Sequence, residues 1–553
     1  MAPLVSRTSI ARLLPRLALG FACGALVACS LVLDFTECES NDDCVSAEPD
    51  APLRACAENK CVAASEIQCE SHTGCHALFD ESFVCGTGES GAPECIKTAT
   101  DECGAIRWPD EHDLDKTVIV GSIMPTTEQF SAIVQPLENA VDLAIRDFNG
   151  ATELPGGRKI AWIACNSGGQ AEGALASARH LAERVGTPAI IGPVFSDNLQ
   201  VVAEDVTIPA GVFTISPTAS AKSITTIADD GLVWRTIASD IYQAHALIDF
   251  VAREDDPGSL SVAYLAKNDA YGAGLLYDSA DAIDALVGAQ LALLYPNPAG
   301  MTEEELTPIF GGVVGKLFEI NPDLVILAGT SEVVQIIQGY ISTWAGMPDD
   351  SRPNMPRFLV THGAVPSLTT IVETLPNPTL QALIRPQLLG ISPVILDEEN
   401  YSVFNTRYKI TFNDQNAITS SSLSYDAAMV TMLAMATIGD AAITGRGIRD
   451  GMPRLIEGDE VSFGSDQIGL SFIPEARNAL AQGQSVDLRG VSGELDFQIE
   501  TGEVRTNLIH WGLVETTMGN PADVELEARC LYVLDPDPAS VTGAWMGCDP
   551  PTP

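Results

Sequence analysis

Four hydroxyl side chains stand where they could do chemistry: Ser196, then Ser216, Thr218 and Ser220. Each group follows a short apolar run bounded by Gly and Pro, residues 189–191 before the first and 212–215 before the second. A hydroxyl beside the exposed N–H groups of a helix start can seat a carboxylate. It can equally serve only as the cap of its own helix. Two such loops at adjacent strand ends favour a site. Other chemistry finds no residues to carry it. The chain has no His-Glu-x-x-His, no Walker loop and no G-x-S-x-G elbow, and its seven histidines are scattered. Gly311-Gly-Val-Val-Gly-Lys316 lacks phosphate-loop spacing, and the G-x-G-x-x-G run from Gly86 to Gly91 is not flanked by a strand and a helix. The chain reads as a binding protein, not an enzyme.

These loops need a scaffold that brings them together. Between the two apolar runs, Leu199, Val202 and Val206 recur at helical spacing. Strand, helix, strand within about thirty residues is a βαβ unit, whose strands are parallel and whose crossover is right-handed. Open parallel sheets bind ligands at the carboxyl ends of their strands. The same alternation runs through residues 117–236, with strands at 117–123 and 158–164 and helices at 137–148 and 171–185. It restarts at 260. Strands are expected at 260–266, 291–295, 324–328 and 357–361, and helices at 272–287, 303–318 and 332–344. The loops after the first, third and fourth of these strands carry Tyr271, Thr330 and His362. Helices at 401–412 and 427–438 follow a return near Pro393, and 493–514 reads as a hairpin that would close the second lobe. The expected fold is therefore α/β, two lobes each with a parallel sheet flanked by helices.

The 553-residue chain holds 74 acidic against 30 basic residues, a surface that repels nucleic acid and anionic lipid. Its fourteen cysteines point to an oxidising compartment. Nine lie between residues 38 and 103, where the stretches starting at Cys38 and Cys69 are copies of one another. Two small disulfide-stapled modules are expected. A zinc site would want paired C-x2-C spacing with histidines, and only His72 and His76 are near. No metal or other cofactor is expected. Cys530 and Cys548 could close a loop worth about 3 kcal/mol, and a bond between Cys103 and Cys165 would make the remaining count even. Residues 104–116, acidic and containing Pro109, read as a linker.

Residues 1–28 combine a basic start with an apolar run too short to span a membrane permanently. The run closes on Leu26-Val-Ala-Cys29, which resembles a bacterial lipobox and implies that Cys29 is the lipidated first residue of the mature chain. Ser30 after it would favour the outer membrane.

The order of IIGPVFS, a helix, VFTISPTAS, VWRT, NDAYGAGL and GELDFQIETGEVRTN resembles the type I periplasmic binding proteins of the leucine/isoleucine/valine-binding kind, over roughly residues 117 to 534. The resemblance implies one lobe from 117–240 and 394–506 and a second from 241–393 and 507–548, after a cysteine-rich region at 29–103. It implies Ser196 and Ser220 as contacts for a ligand carboxylate, Thr218 and Ala219 as backbone contacts, Asp240 as partner of an ammonium group and Tyr271 as a lid. Thr330 stands where the family often has an aromatic residue, and His362 where it usually has an acid. The implied function is capture of a small carboxylate-bearing ligand, an amino acid or related compound, in a hinged cleft for an ABC permease. The alternative is a lipoprotein regulator or sensor of the peptidoglycan-synthase-activator kind, which binds a protein partner.

Overall fold

A computed structural model describes residues 36–44, 54–64, 67–127, 129–393, 397–464 and 470–548. The leader and Cys29 lie outside the described residues. The first lobe is built on a seven-stranded sheet in the order Phe497–Gln498, Glu503–Val504, Val233–Arg235, Phe213–Ser216, Ala189–Ile191, Val118–Met124, Ile160–Asn166. All neighbours are parallel except the first pair. The strands Ala189–Ile191 and Phe213–Ser216 pair residue for residue, Ile191 opposite Ile215, so their two hydroxyl loops leave the sheet side by side. Full burial of both strands explains their unbroken apolar runs.

The second lobe is an eight-stranded sheet in the order Ala289–Pro296, Ser261–Asn268, Leu324–Ala328, Arg357–Val360, Leu388–Ser392, Leu508–Glu515, Val524–Leu534, Gly543–Met546. Its first five strands are parallel and the last three antiparallel. The expected closing hairpin is divided between the lobes. Its turn, flanked by Phe497–Gln498 and Glu503–Val504, belongs to the first sheet, and only Leu508–Glu515 enters the second. The chain therefore passes between the lobes three times, after strands Val233–Arg235, Leu388–Ser392 and Glu503–Val504. Two crossings are tied where the Thr506 hydroxyl donates to the Pro393 carbonyl at 2.9 Å.

Helix Ser421–Ala436 is buried at every position and forms the centre of the first lobe against helix Ser131–Ala151. An apolar helix with no solvent face must lie inside a core. Its Asp426 accepts from the Val491 and Ser492 N–H groups at 2.9 and 2.7 Å, fixing the turn that leads to the third crossing.

All twelve described cysteines are paired. The two modules share one connectivity, Cys38–Cys56 with Cys44–Cys61 and Cys69–Cys85 with Cys75–Cys95. Cys103–Cys165 and Cys530–Cys548 complete the set. The second module is not a separate bead. Its Val84 and Ile96, with Cys103 and Ile106, share a core with Ile119, Ile163 and Leu181 of the first lobe. Gly86 sits so close that a Cβ would stand 2.2 Å from the Arg184 carbonyl oxygen. Residues 104–116 are likewise no free linker: the Arg107 N–H and carbonyl pair with Trp162, and the Gly104 N–H donates to the Ala164 carbonyl. A chain beginning at Asp113 would lose the Cys103–Cys165 bond, worth about 2–4 kcal/mol, and uncover apolar surface worth about 1.5–3 kcal/mol per large side chain. It is expected to unfold at clearly lower urea than the full mature chain. Equal midpoints would mean that the module merely hangs from the lobe.

Candidate functional site

Across the cleft the carboxyl edges of the two sheets face each other. On the first-lobe side the two hydroxyl loops are stapled together. The Ser216 hydroxyl donates to the Pro193 carbonyl at 2.6 Å and accepts from the Ala219 N–H at 3.1 Å. The Thr218 hydroxyl donates to the Val194 carbonyl at 2.9 Å, and the Ser196 hydroxyl accepts from the Ala221 N–H at 3.2 Å. Ser196 keeps its own proton free to donate, whereas the protons of Ser216 and Thr218 are spent. Beneath the loop, the buried guanidinium of Arg235 pairs with Glu503 and donates to the Ala221 and Ala219 carbonyls at 2.9 and 3.3 Å.

The second-lobe side centres on Lys267, the penultimate residue of strand Ser261–Asn268. Its buried ammonium lies 2.8 Å from Asp269 and 3.3 Å from the Thr330 hydroxyl, and 5.3 Å over the Phe195 ring. Burial opposes its charge, but Asp269, with Glu332 and Asp197 beyond, raises its pKa above the ordinary lysine value. Two carboxylates against one ammonium would leave the cluster negative. Asp269, however, caps helix Ala270–Asp284, and Glu332 opens helix Val333–Gly346. Each helix start contributes about half a positive charge, which offsets part of the charge of its acid. Thr330 gives its hydroxyl and N–H to Glu332 at 2.6 and 2.9 Å.

Tyr271 and His362 complete the wall. The Tyr271 hydroxyl meets Thr361 at 2.5 Å and accepts from the Gly363 N–H at 3.2 Å, and its ring stands edge-on to His362 at 4.7 Å. His362 is buried, with Nε2 3.4 Å from the Ser220 hydroxyl and Nδ1 3.3 Å from the Gln243 amide. Burial lowers its pKa to about 4, so it is neutral at physiological pH and does not titrate near the free-imidazole value. Asp240 lies behind it. Its Oδ1 accepts from Gln243 at 3.1 Å and its Oδ2 has no partner, and burial pushes the acid up to about 7.

A narrow pocket between the lobes is lined by five of the eight residues named from sequence: Ser196, Thr218, Tyr271, Thr330 and His362. The other three do not reach it. Ala219 spends its N–H on Ser216 and its carbonyl on Arg235. Ser220 and Asp240 are buried behind His362 and face the imidazole, not the pocket. Sequence reasoning missed Lys267, Asp269, Phe195 and an apolar wall of Ile133, Val134, Leu137 and Ile418. A lysine at the end of the apolar run Val262–Ala266 was the available signal for the first. The helix expected at 137–148 begins at Ser131 instead and carries Pro136 inside it, so Ile133 and Val134 lay outside the expected helix.

The lobes touch directly across this pocket. Asp197 accepts from the Ala270 N–H at 2.6 Å, and Lys222 pairs with Asp278 at 2.9 Å. The two lobes are thus in contact on the rim of the pocket.

Two facing α/β lobes, three crossings and a pocket at the sheet edges define the type I periplasmic-binding-protein fold. Residues 117–358 match the family described as periplasmic binding protein. Among solved structures, the chain resembles the leucine-binding protein LivK of Thermotoga maritima, at 18% identity and TM-score 0.55, over 74% of this chain and 98% of that one. It also resembles the branched-chain amino acid transporter substrate-binding protein LivJ of Streptococcus pneumoniae in complex with isoleucine, at 16% identity and TM-score 0.53, over 75% and 99%. A solute-binding protein of an ABC transporter from Rhodopseudomonas palustris, in complex with 3,4-dihydroxybenzoic acid, matches at 15% identity and TM-score 0.56, over 75% and 96%. No curated protein matches the sequence.

Breaking a buried ion pair from one side costs about 3–5 kcal/mol. Glu503→Gln is therefore expected to lower stability in urea by about that amount, and to loosen the 219–221 loop that Arg235 holds. A variant as stable as wild type would show that Arg235 does not need its partner.

Proposed function

We propose that the protein is a lipid-anchored extracytoplasmic solute-binding protein that closes its hinged lobes on a small carboxylate-bearing solute and presents it to an ABC permease. The observation that carries this reading is the narrow pocket between the lobes, where the Lys267 ammonium and the free Ser196 proton face an apolar wall. Lys267 has three N–H groups, two of which are directed to Asp269 and Thr330. The third, with the Ser196 hydroxyl, can grip a carboxylate while Ile133, Leu137 and Ile418 cover its carbon body. The leucine, isoleucine and dihydroxybenzoate named for the relatives, small organic acids all, support the same class of ligand.

The lipid anchor rests on the Leu26–Cys29 sequence, with Ser30 favouring the outer membrane. Mass spectrometry of the mature amino terminus tests it. Among the described residues no helix is long and apolar enough to cross a membrane. A regulator or sensor that binds a protein partner is the second reading, and the protein's own bonds across the closed cleft, Lys222–Asp278 and Ser220–His362, favour it.

A bound solute raises apparent stability in proportion to its occupancy. Thermal melting of the mature chain against a panel of aliphatic and aromatic carboxylates is expected to return at least one that raises the midpoint. Ser196→Ala is expected to weaken that acid by about 1.5–3 kcal/mol, the worth of a hydrogen bond to a charged group. No response to any small acid would favour the protein-partner reading.

A further inference from the structure

We infer that His362 is the specificity-determining residue of the cleft: its imidazole fills the seat in which an ammonium group would be held, so the protein takes acids that lack an α-amino group. This rests on the solute-binding reading and narrows it. The seat offers a cation the Thr218 carbonyl and the Asp240 carboxylate, with the Ser220 hydroxyl 3.4 Å from the ring; Gln243 turns its amide Nε2 to His362 Nδ1 at 3.3 Å. Asp240 Oδ2 has no hydrogen-bond partner, so a cation placed here would meet an unused acceptor. His362 Nδ1 stands 4.0 Å from Asp240 Oδ1, too far for a hydrogen bond, and burial together with the charge of Lys267 keeps the ring neutral.

The ring cannot easily yield the seat. Its own backbone N–H donates to Gln243 Oε1 at 3.1 Å, and the next N–H, of Gly363, is held by Tyr271. A Cβ at Gly363 would stand 2.7 Å from the Gly329 carbonyl oxygen, so this loop is packed against its neighbour. Nor does the open part of the pocket offer an ammonium another acid. Asp269 already accepts from the Gly272 N–H at 2.7 Å through Oδ1 and from Lys267 at 2.8 Å through Oδ2. An α-amino acid entering the pocket would bury its ammonium without a partner, whereas the same skeleton without the amino group would not.

Leucine and 4-methylpentanoate differ only in that amino group and make the direct comparison. Calorimetric titration of the mature wild-type protein is expected to show at least tenfold weaker binding of leucine than of 4-methylpentanoate, or no binding of leucine at all. His362→Ala and His362→Ser vacate the seat, and at least one is expected to gain leucine tenfold or more over wild type and to be stabilised by millimolar imidazole. Leucine binding wild type as tightly as 4-methylpentanoate overturns the inference and leaves the solute-binding reading standing; this arm decides even if both variants fail to fold. Folded variants that gain neither leucine nor imidazole overturn it too. Absence of binding by every acid, in wild type and variants alike, removes the solute-binding reading with it.

Discussion

Arg235 and Glu503 are charges taken wholly out of water, and the geometry of the cleft depends on their meeting. Arg235 ends the strand Val233–Arg235, from which the chain crosses to the second lobe. Glu503 opens the strand from which the chain crosses for the last time. The Arg235 N–H donates to the Gly502 carbonyl at 2.8 Å, while the guanidinium reaches the carbonyls of Ala219 and Ala221 and the Thr225 hydroxyl. One side chain thus ties two crossings to the loop that carries Thr218 and Ser220. A charge buried this deeply is tolerated only when paired and fully hydrogen-bonded. The loop's carbonyls are those bonds, so the loop's position follows from the need to satisfy the guanidinium.

The second lobe repeats the device, again with a buried cation held by carboxylates. Lys267 is the buried cation, Asp269 and Glu332 hold it, and each acid stands at a helix start that offsets part of its charge. The two lobes thus present different faces. The first offers hydroxyls and backbone fixed by an internal ion pair, and the second offers a cation with one donor to spare. His362 stands at their junction, reaching from one lobe to Ser220 of the other. Its neutrality follows from burial between Tyr271 and Gln243 of its own lobe and Ser220 of the other, with the charge of Lys267 adding to it.

Much of this frame was legible in the residues. The apolar runs ending at Ile191 and Ser216 are strands, their hydroxyl loops are neighbours, and Tyr271, Thr330 and His362 converge on the opposite edge. What periodicity could not give is which side of a loop a residue turns. Ser220 and Asp240 look inward to His362, a residue far from both in sequence, and Arg235 and Gln243 hold them there. Lys267 was overlooked because a charged residue in a strand is ordinarily a solvated end, and only its burial against Asp269 gives it meaning. The second cysteine module misled for the reverse reason. Its apolar residues form only a small cluster of their own around Cys75, Phe83 and Cys95, while Val84 and Ile96 extend the core of the first lobe.

The claim that joins these observations is that the pocket exists only when the lobes close. Ser196 comes from one lobe and Lys267 from the other, and Asp197–Ala270 and Lys222–Asp278 hold them together. Small-angle X-ray scattering of the mature protein, free and saturated with the acid that most raises its melting temperature, tests this directly. The account predicts that the radius of gyration falls on saturation as open molecules join the closed form. An unchanged scattering profile at full occupancy would place the bound acid outside the cleft and contradict it.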